Sequence, residues 1–192
     1  VLLANAQTGS LMANAIAMKI GQMAGAEYTN HIVPVELYMN GQYMGSYMFT
    51  EKVGLANNSV DVDEDTGYLL ELDTNSDDEY KFYSKNYNLP VFVKEPDLND
   101  SSTPNATARK RTIPEQFNEF CTALYQGENI DDMADMETLA SYILANDLAL
   151  NQELGHPKSI FMFKEIENSS SSKYKFGPIW DFDWGFGYEN GS

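Results

Sequence analysis

Residues 33–53 read VPVELYMNGQYMGSYMFTEKV, and apolar or aromatic side chains recur there at about every second position. This alternation suits strands, because successive residues of a strand point to opposite faces of a sheet. Asn40 and Gly41 divide the stretch into runs over 33–39 and 43–53. Both residues tolerate positive φ and form the two-residue turns that join antiparallel strands. The stretch therefore predicts a β-hairpin.

The rest of the chain is predicted to hold more strands before residue 97 and mainly helices after it. The patterns predict a helix over 10–24, strands over 68–72, 80–83 and 90–94, a polar loop over 97–111, helices over about 113–126 and 135–150, and a strand pair over 159–164 and 174–180. The helix over 135–150 is apolar on most faces, so we expect it to be buried. The expected fold class is α+β. An antiparallel, sheet-rich N-terminal part covers about 1–97, and a helical C-terminal part with a β-hairpin covers about 112–192.

The charge balance is strongly acidic. The 192 residues include 29 acidic and 12 basic side chains, for a net charge of −17. Nucleic acid is a poor partner for such a chain, because phosphate binding depends on Lys and Arg. A negative field suits divalent cations or basic protein segments, although acidity can also simply keep a domain soluble.

Three further features are the single cysteine, the length of the apolar runs and the first residue of the chain. Cys121 is the only cysteine, and it lies in an apolar-periodic run, so we expect a packing role rather than a reactive thiol. No apolar run approaches the roughly 18 residues of a membrane helix, so no membrane span is expected in this segment. Val1 opens without the Met and basic start of a signal peptide, and we expect the chain to be a fragment of a longer protein.

The first candidate site is the segment Trp180-Asp181-Phe182-Asp183. On a strand, Asp181 and Asp183 would point the same way while Phe182 enters the core. Two such carboxylates repel each other unless a cation or a proton lies between them. Their oxygens suit Mg²⁺, Mn²⁺ or Ca²⁺. The pair therefore predicts a divalent metal site, with a plain solvent-facing turn as the alternative.

A second group of polar residues follows the predicted buried helix: Asn146, Asp147, Asn151, Gln152 and Glu153. Some of them are expected to face a shared cavity, although Asn151 could simply cap the helix end. A predicted hairpin separates Glu153 from Asp181, which would bring the two residues side by side. The same order of loop, hairpin and metal-binding Asp occurs in protein kinases.

The third candidate site contains lysines near strand ends. Glu51 and Lys52 end one predicted strand, and Glu71 and Lys94 lie on others. A lysine that faces inward from a sheet and pairs with a carboxylate holds nucleotide phosphates in kinases. Strand lysines also serve on surfaces for solubility, so that alternative stays open.

These stretches together resemble one family. Residues 33–47, followed by Thr50-Glu51-Lys52-Val53, resemble the "ELY-NG-Y-G-Y-L-EK" signature of the CotH family, the spore coat protein H-like atypical kinases. Further similar segments follow in the family's order, at residues 1–5, 10–14, 148–151, 157–159 and 177–187.

The resemblance implies a single reduced protein-kinase-like domain over 1–192 that transfers phosphate from ATP to Ser or Thr of a partner protein, with Mg²⁺ or Mn²⁺. It places Asp181 as the metal-binding Asp with Asp183 as its support. Glu153 stands where many members carry an active-site Asp. The candidates for binding the nucleotide are Lys52, Lys94, Glu51 and Asn151. The resemblance also implies an extracellular or cell-surface location on a bacterium.

The chain departs from the family pattern at two positions. Ala13 stands where many relatives have Arg, and Glu153 replaces the Asp. One alternative is therefore a catalytically inactive kinase-like surface or coat module that binds a protein partner. A Ca²⁺-dependent adhesive domain is the other.

Overall fold

The computed structural model describes residues 1–4, 10–75 and 80–187 as an α+β fold with two antiparallel sheets. Its elements are β1 (Leu2–Ala4), α1 (Ala13–Ala24), β2 (Ile32–Met39), β3 (Gln42–Thr50), β4 (Tyr68–Leu72), β5 (Tyr80–Tyr83), β6 (Pro90–Glu95), α2 (Ala106–Gln126), α3 (Ile130–Met133), α4 (Met136–Leu148), a 3₁₀ turn (Glu153–Gly155), β7 (Ile160–Lys164) and β8 (Lys175–Phe176). No helix within the described ranges is both long and apolar enough to cross a bilayer.

The predicted hairpin forms the smaller sheet. Its three strands have the order β1-β3-β2. Asn40 and Gly41 form the turn with φ of 51° and 80°, the positive values that this turn requires. The hairpin prediction is confirmed, but β3 ends at Thr50. Glu51 and Lys52 therefore lie just beyond the strand.

The larger sheet joins both halves of the chain. Its five strands have the order β5-β6-β4-β7-β8. The central strand, β4, is buried at all five positions. The predicted C-terminal hairpin is confirmed as β7 and β8, and β7 pairs with β4. The hairpin therefore places the residues before β7 and after β8 next to the sheet, whose other three strands come from the N-terminal half.

Hydrophobic packing attaches the helices to this sheet. One face packs against α2, where Phe117 and Phe120 contact a cluster that includes Tyr68 and Val93. A separate cluster joins α1 and α4 to Phe182, which is completely buried. The expectation that Phe182 enters the core is therefore confirmed.

The predicted loop over 97–111 is wrong at its end, because α2 begins at Ala106. Arg109 lies in this first part of the helix, and its Nε is 2.7 Å from Oε2 of Glu167. Its Nη1 also donates to the carbonyl of Glu64 at 2.7 Å. These contacts with residues far away in the sequence stabilise the start of the helix. A local pattern of polar residues cannot show them, so it predicted a loop.

Two other expectations are also wrong in part. α4 buries Tyr142 and Ala145, but Ile143 and Leu144 on its other side are each 48% exposed. The helix is therefore half-buried.

The last strand ends at Phe176 instead of residue 180. Gly177 has a φ of 131°, which few residues other than glycine adopt, so the backbone leaves the sheet there.

Candidate functional site

The loop after α4, residues 149–159, lies beside the segment 177–187 that follows β8. Phe186 donates its backbone N–H to the carbonyl of Ala149 at 2.6 Å, and Gln152 donates to the carbonyl of Trp184 at 3.2 Å. Gly185 permits this approach, since a Cβ there would lie 3.1 Å from the carbonyl oxygen of Ala149. The predicted adjacency of the two segments is confirmed.

Glu153 is the most deeply buried acid of the site. The residue is 1% exposed, and its Oε1 lies 3.1 Å from Nζ of Lys158. The other oxygen, Oε2, is buried and has no hydrogen-bond partner among the described residues. Burial, together with the negative charge of Asp181, raises the pKa of Glu153 to about 7.

Asp181 lies near the same ammonium group. Its Oδ2 is 3.9 Å from Nζ of Lys158. Burial is the main reason why the pKa of Asp181 is raised, and the charge of Asp183 adds to the effect. The three acidic side chains thus influence one another, although they lie on two separate segments.

The strand that was expected to align Asp181 and Asp183 is absent from this position. Asp181 has a φ of 52°, and its Oδ1 accepts a hydrogen bond from the backbone N–H of Asp183 at 3.4 Å. This is the local turn that Asp side chains favour. The two carboxylates are therefore brought near each other by a turn, and the reasoning from strand alternation is wrong.

Asn14 connects this turn to α1. Its Nδ2 donates to Oδ1 of Asp183 at 2.8 Å, and its Oδ1 accepts from the backbone N–H of Phe182 at 2.8 Å. The sequence reasoning did not name Asn14 as a site residue. The only signal was its place in the segment 10–14, which resembles the CotH family.

Lys158 and Asp73 were also missed. Burial opposes the charge of Lys158, but the hydrogen bond and charge of Glu153, helped by Asp181 and Asp73, outweigh it and raise the pKa of Lys158. Asp73, just after β4, accepts from the backbone N–H of Ser159 at 3.3 Å. Lys158 lies in the segment 157–159 that resembles the CotH family, but neither residue belonged to a pattern of paired acids, so no local signal assigned them a role.

The lysine candidates differ in their surroundings. Nζ of Lys94 lies 2.9 Å from Oε2 of Glu71, across the β4–β6 pair. Lys52 is exposed beyond the end of β3, and Glu51 lies 3.1 Å from Nδ1 of His31. The structure therefore pairs Lys94 with a carboxylate of the sheet and leaves Lys52 outside the sheet.

Asn151 makes contacts within its own loop. Its Nδ2 donates to Oδ1 of Asn146 at 2.9 Å, and its Oδ1 accepts from the backbone N–H of Glu153 at 3.1 Å. The side chain thus fixes the 3₁₀ turn that carries Glu153. The bond from Asn151 to the backbone at the end of α4 is made by its backbone N–H, which donates to the carbonyl of Asn146 at 3.0 Å, and not by its side chain.

The chemistry of the acidic oxygens fits a hard divalent cation, which prefers carboxylate ligands. The buried and unpartnered Oε2 of Glu153 supports this fit, because buried polar atoms ordinarily have a partner. Within the described part of the chain, however, no three or more acidic, histidine or cysteine side chains form a group that could hold a metal ion. Nζ of Lys158 lies between Glu153 and Asp181 instead.

Comparison with known families gives one match. The family model described as CotH kinase protein matches residues 1–192, the whole length of the chain. A search of curated proteins found no match. The family match agrees with the ordered segments of the sequence. The chain belongs to the CotH kinase protein family.

Proposed function

We propose that this domain is a kinase-like phosphotransferase that moves the γ-phosphoryl group of ATP to a Ser or Thr hydroxyl of a partner protein, with Mg²⁺ or Mn²⁺. One observation carries the proposal: Glu153 and Asp181, from the two segments that flank the β7–β8 hairpin, meet at the Lys158 ammonium. A reduced kinase-like fold, formed as a single domain by residues 1–192, is part of the same proposal.

The roles of the acidic residues follow from their places. Asp181 and Asp183 would hold the divalent cation, which supplies charge neutralisation to the phosphates. Asn14 keeps Asp183 in position. The acceptor hydroxyl oxygen bonds to the γ-phosphorus while the bond from that phosphorus to the β–γ bridging oxygen breaks, and ADP keeps the electron pair. Glu153 accepts the hydroxyl proton.

Lys94 is the better-placed phosphate ligand of the two lysines. It projects from β6 and pairs with the buried Glu71 of β4. Kinases also pair their phosphate-binding strand lysine with a glutamate, which in their case lies on a helix. Lys52 and Glu51 stay secondary candidates, because they lie beyond β3. We assign Asn151 to the orientation of Glu153, on the basis of its bond to the Glu153 backbone.

A second candidate function is a catalytically inactive kinase-like module that binds a protein partner at the surface of a bacterium or its spore coat. The ammonium of Lys158 favours it, because it already neutralises carboxylates that a catalytic cation would need. The absence of the arginine at Ala13 points the same way. An extracellular location belongs to both proposals.

The test is incorporation of labelled phosphate from ATP into a Ser-rich acceptor in the presence of Mn²⁺. The parent chain is compared with Asp181→Asn and with Asp65→Asn, a control that removes an exposed acid elsewhere. We expect transfer by the parent and the control but not by Asp181→Asn. If the parent binds ATP in a melting experiment but transfers no phosphate, the inactive module is the correct reading.

A further inference from the structure

The position of Lys158 is the feature that the proposed chemistry does not use. Its Nζ lies 3.1 Å from Glu153, 3.9 Å from Asp181 and 5.3 Å from the centre of the Trp184 ring. Glu153 lies in the same loop as Lys158, and the tertiary fold brings Asp181 to the lysine from the other segment. The ammonium therefore lies close to acids of both segments.

The carboxylates need a positive charge at this point. Acids that share a buried site cannot all ionise unless a cation or a proton compensates them. Lys158 supplies one positive charge, yet Oε2 of the 1%-exposed Glu153 stays without a hydrogen-bond partner among the described residues. That buried oxygen therefore lacks the donor or cation that a buried carboxylate ordinarily has. A divalent cation there would face the ammonium at short range, and the two positive charges would repel each other.

The lysine side chain can move to resolve this conflict. A lysine carries its ammonium on a flexible four-carbon stem, and the side chain of Lys158 is 27% exposed. Leaving the acids therefore requires rotation of one side chain and no change in the backbone. Phosphate oxygens are the natural new partner, since lysine binds them as a point charge.

We infer that Lys158 is an internal counter-ion of Glu153 and Asp181, which a divalent cation must displace and which then pairs with the phosphates of the nucleotide. This inference rests on the proposed metal site and deepens it. One consequence is that the metal ion and the nucleotide bind cooperatively. The free-energy cost of moving the ammonium away from the acids is lower when phosphate oxygens are present to pair with it. A second consequence is that the metal alone binds weakly.

The first experiment measures Mn²⁺ binding by calorimetry, with and without ATP, for the parent and for Lys158→Met. We expect Lys158→Met to bind Mn²⁺ alone about tenfold or more tightly than the parent, because a competing charge is gone. ATP should strengthen Mn²⁺ binding in the parent and much less in the variant. Lys85→Met is the matched control, since it removes an exposed positive charge from another part of the molecule. It should bind Mn²⁺ as the parent does.

The second experiment needs no variant, so it still decides the matter if Lys158→Met does not fold. The folded parent is acetylated with and without saturating Mn²⁺ and ATP, and labelling of each lysine is measured by mass spectrometry. If Mn²⁺ alone expels the ammonium, labelling of Lys158 rises several-fold while labelling of Lys85 is unchanged. Addition of ATP should then lower it again.

Each outcome has a separate meaning. Equal Mn²⁺ affinity in the parent and Lys158→Met, with unchanged labelling, overturns the inference and leaves the proposed metal site standing. Tighter Mn²⁺ binding by Lys158→Met without phosphate transfer by the parent upholds the inference and refutes the phosphotransferase. No Mn²⁺ binding by either protein refutes both.

Discussion

Asn14 and Asp183, 169 positions apart in the chain, are joined by a hydrogen bond of 2.8 Å. The same amide accepts the backbone N–H of Phe182, so both of its ends are used. Because Asn14 is 3% exposed, water does not readily replace either bond. The acidic turn is thereby fixed to α1.

Replacing Asn14 should therefore destabilise the domain and loosen the turn. Asn14→Ala leaves the buried N–H of Phe182 without its acceptor, and we expect a loss of about 1–3 kcal/mol in the free energy of unfolding. Urea denaturation measures the loss. Asn57→Ala, at an exposed position, is the control and should change little. Equal stability of the two variants would show that the bonds to Asn14 contribute nothing.

Glu153 distinguishes an active enzyme from an inactive relative. Glu153→Gln keeps the size of the side chain but cannot accept the hydroxyl proton, so we expect phosphate transfer to fall by about two orders of magnitude. ATP binding should be retained. Glu153→Asp restores the acid that is more usual in the family and should keep or raise the activity. Labelled-phosphate incorporation by equal amounts of folded protein measures all three, and a fully active Gln variant would refute the assigned role.

The two lysine candidates should differ in nucleotide affinity. Lys94→Ala removes the ammonium paired with Glu71, and we expect it to weaken ATP binding by about tenfold or more, as expected for a charged contact to phosphate. Lys52→Ala, at an exposed position, should have a smaller effect. Calorimetric titration with ATP tests the order. A larger loss in Lys52→Ala would transfer the role to that residue.

Glu95 should give the stability a measurable dependence on pH. Burial raises its pKa above the ordinary 4.5, although the backbone N–H of Leu55 and the charge of Lys52 oppose the shift. The folded state thus holds the proton more tightly than the unfolded state does. The resulting stability is present below pH 4.5 and is lost as the pH rises through the raised pKa. Comparing urea denaturation of the parent and Glu95→Gln across this range isolates the effect, and identical slopes would contradict it.

Cys121 should be unreactive in the folded protein. The residue is 1% exposed, and burial raises the pKa of its thiol to about 11. Because the thiolate is the reacting form, we expect alkylation by iodoacetamide at neutral pH to be very slow until urea unfolds the chain. Mass spectrometry at each urea concentration follows the reaction. Rapid labelling without urea would contradict the packing role that the sequence suggests.

The parts of the fold that depend on local chemistry were predictable from the sequence. Asn40 and Gly41 select their turn through the φ values they tolerate, and the flanking alternation selects the strands, so the hairpin needs no distant contact. β4 and β5 match their predicted bounds for the same reason. The ordered segments also sufficed to identify the family, and they named Glu153, Asp181 and Asp183.

The tertiary structure alone decided which side chains meet at the site. The first turns of α2 depend on the buried pair of Arg109 and Glu167, 58 positions apart, so the local pattern there indicated a loop. Likewise, nothing in the spacing of Lys158 and Asp181 shows that one ammonium lies near both acids. An ion pair of this kind depends on distance and burial, which local sequence patterns do not encode. For that reason the acids were visible in the sequence, while the contact of Lys158 with both of them was not.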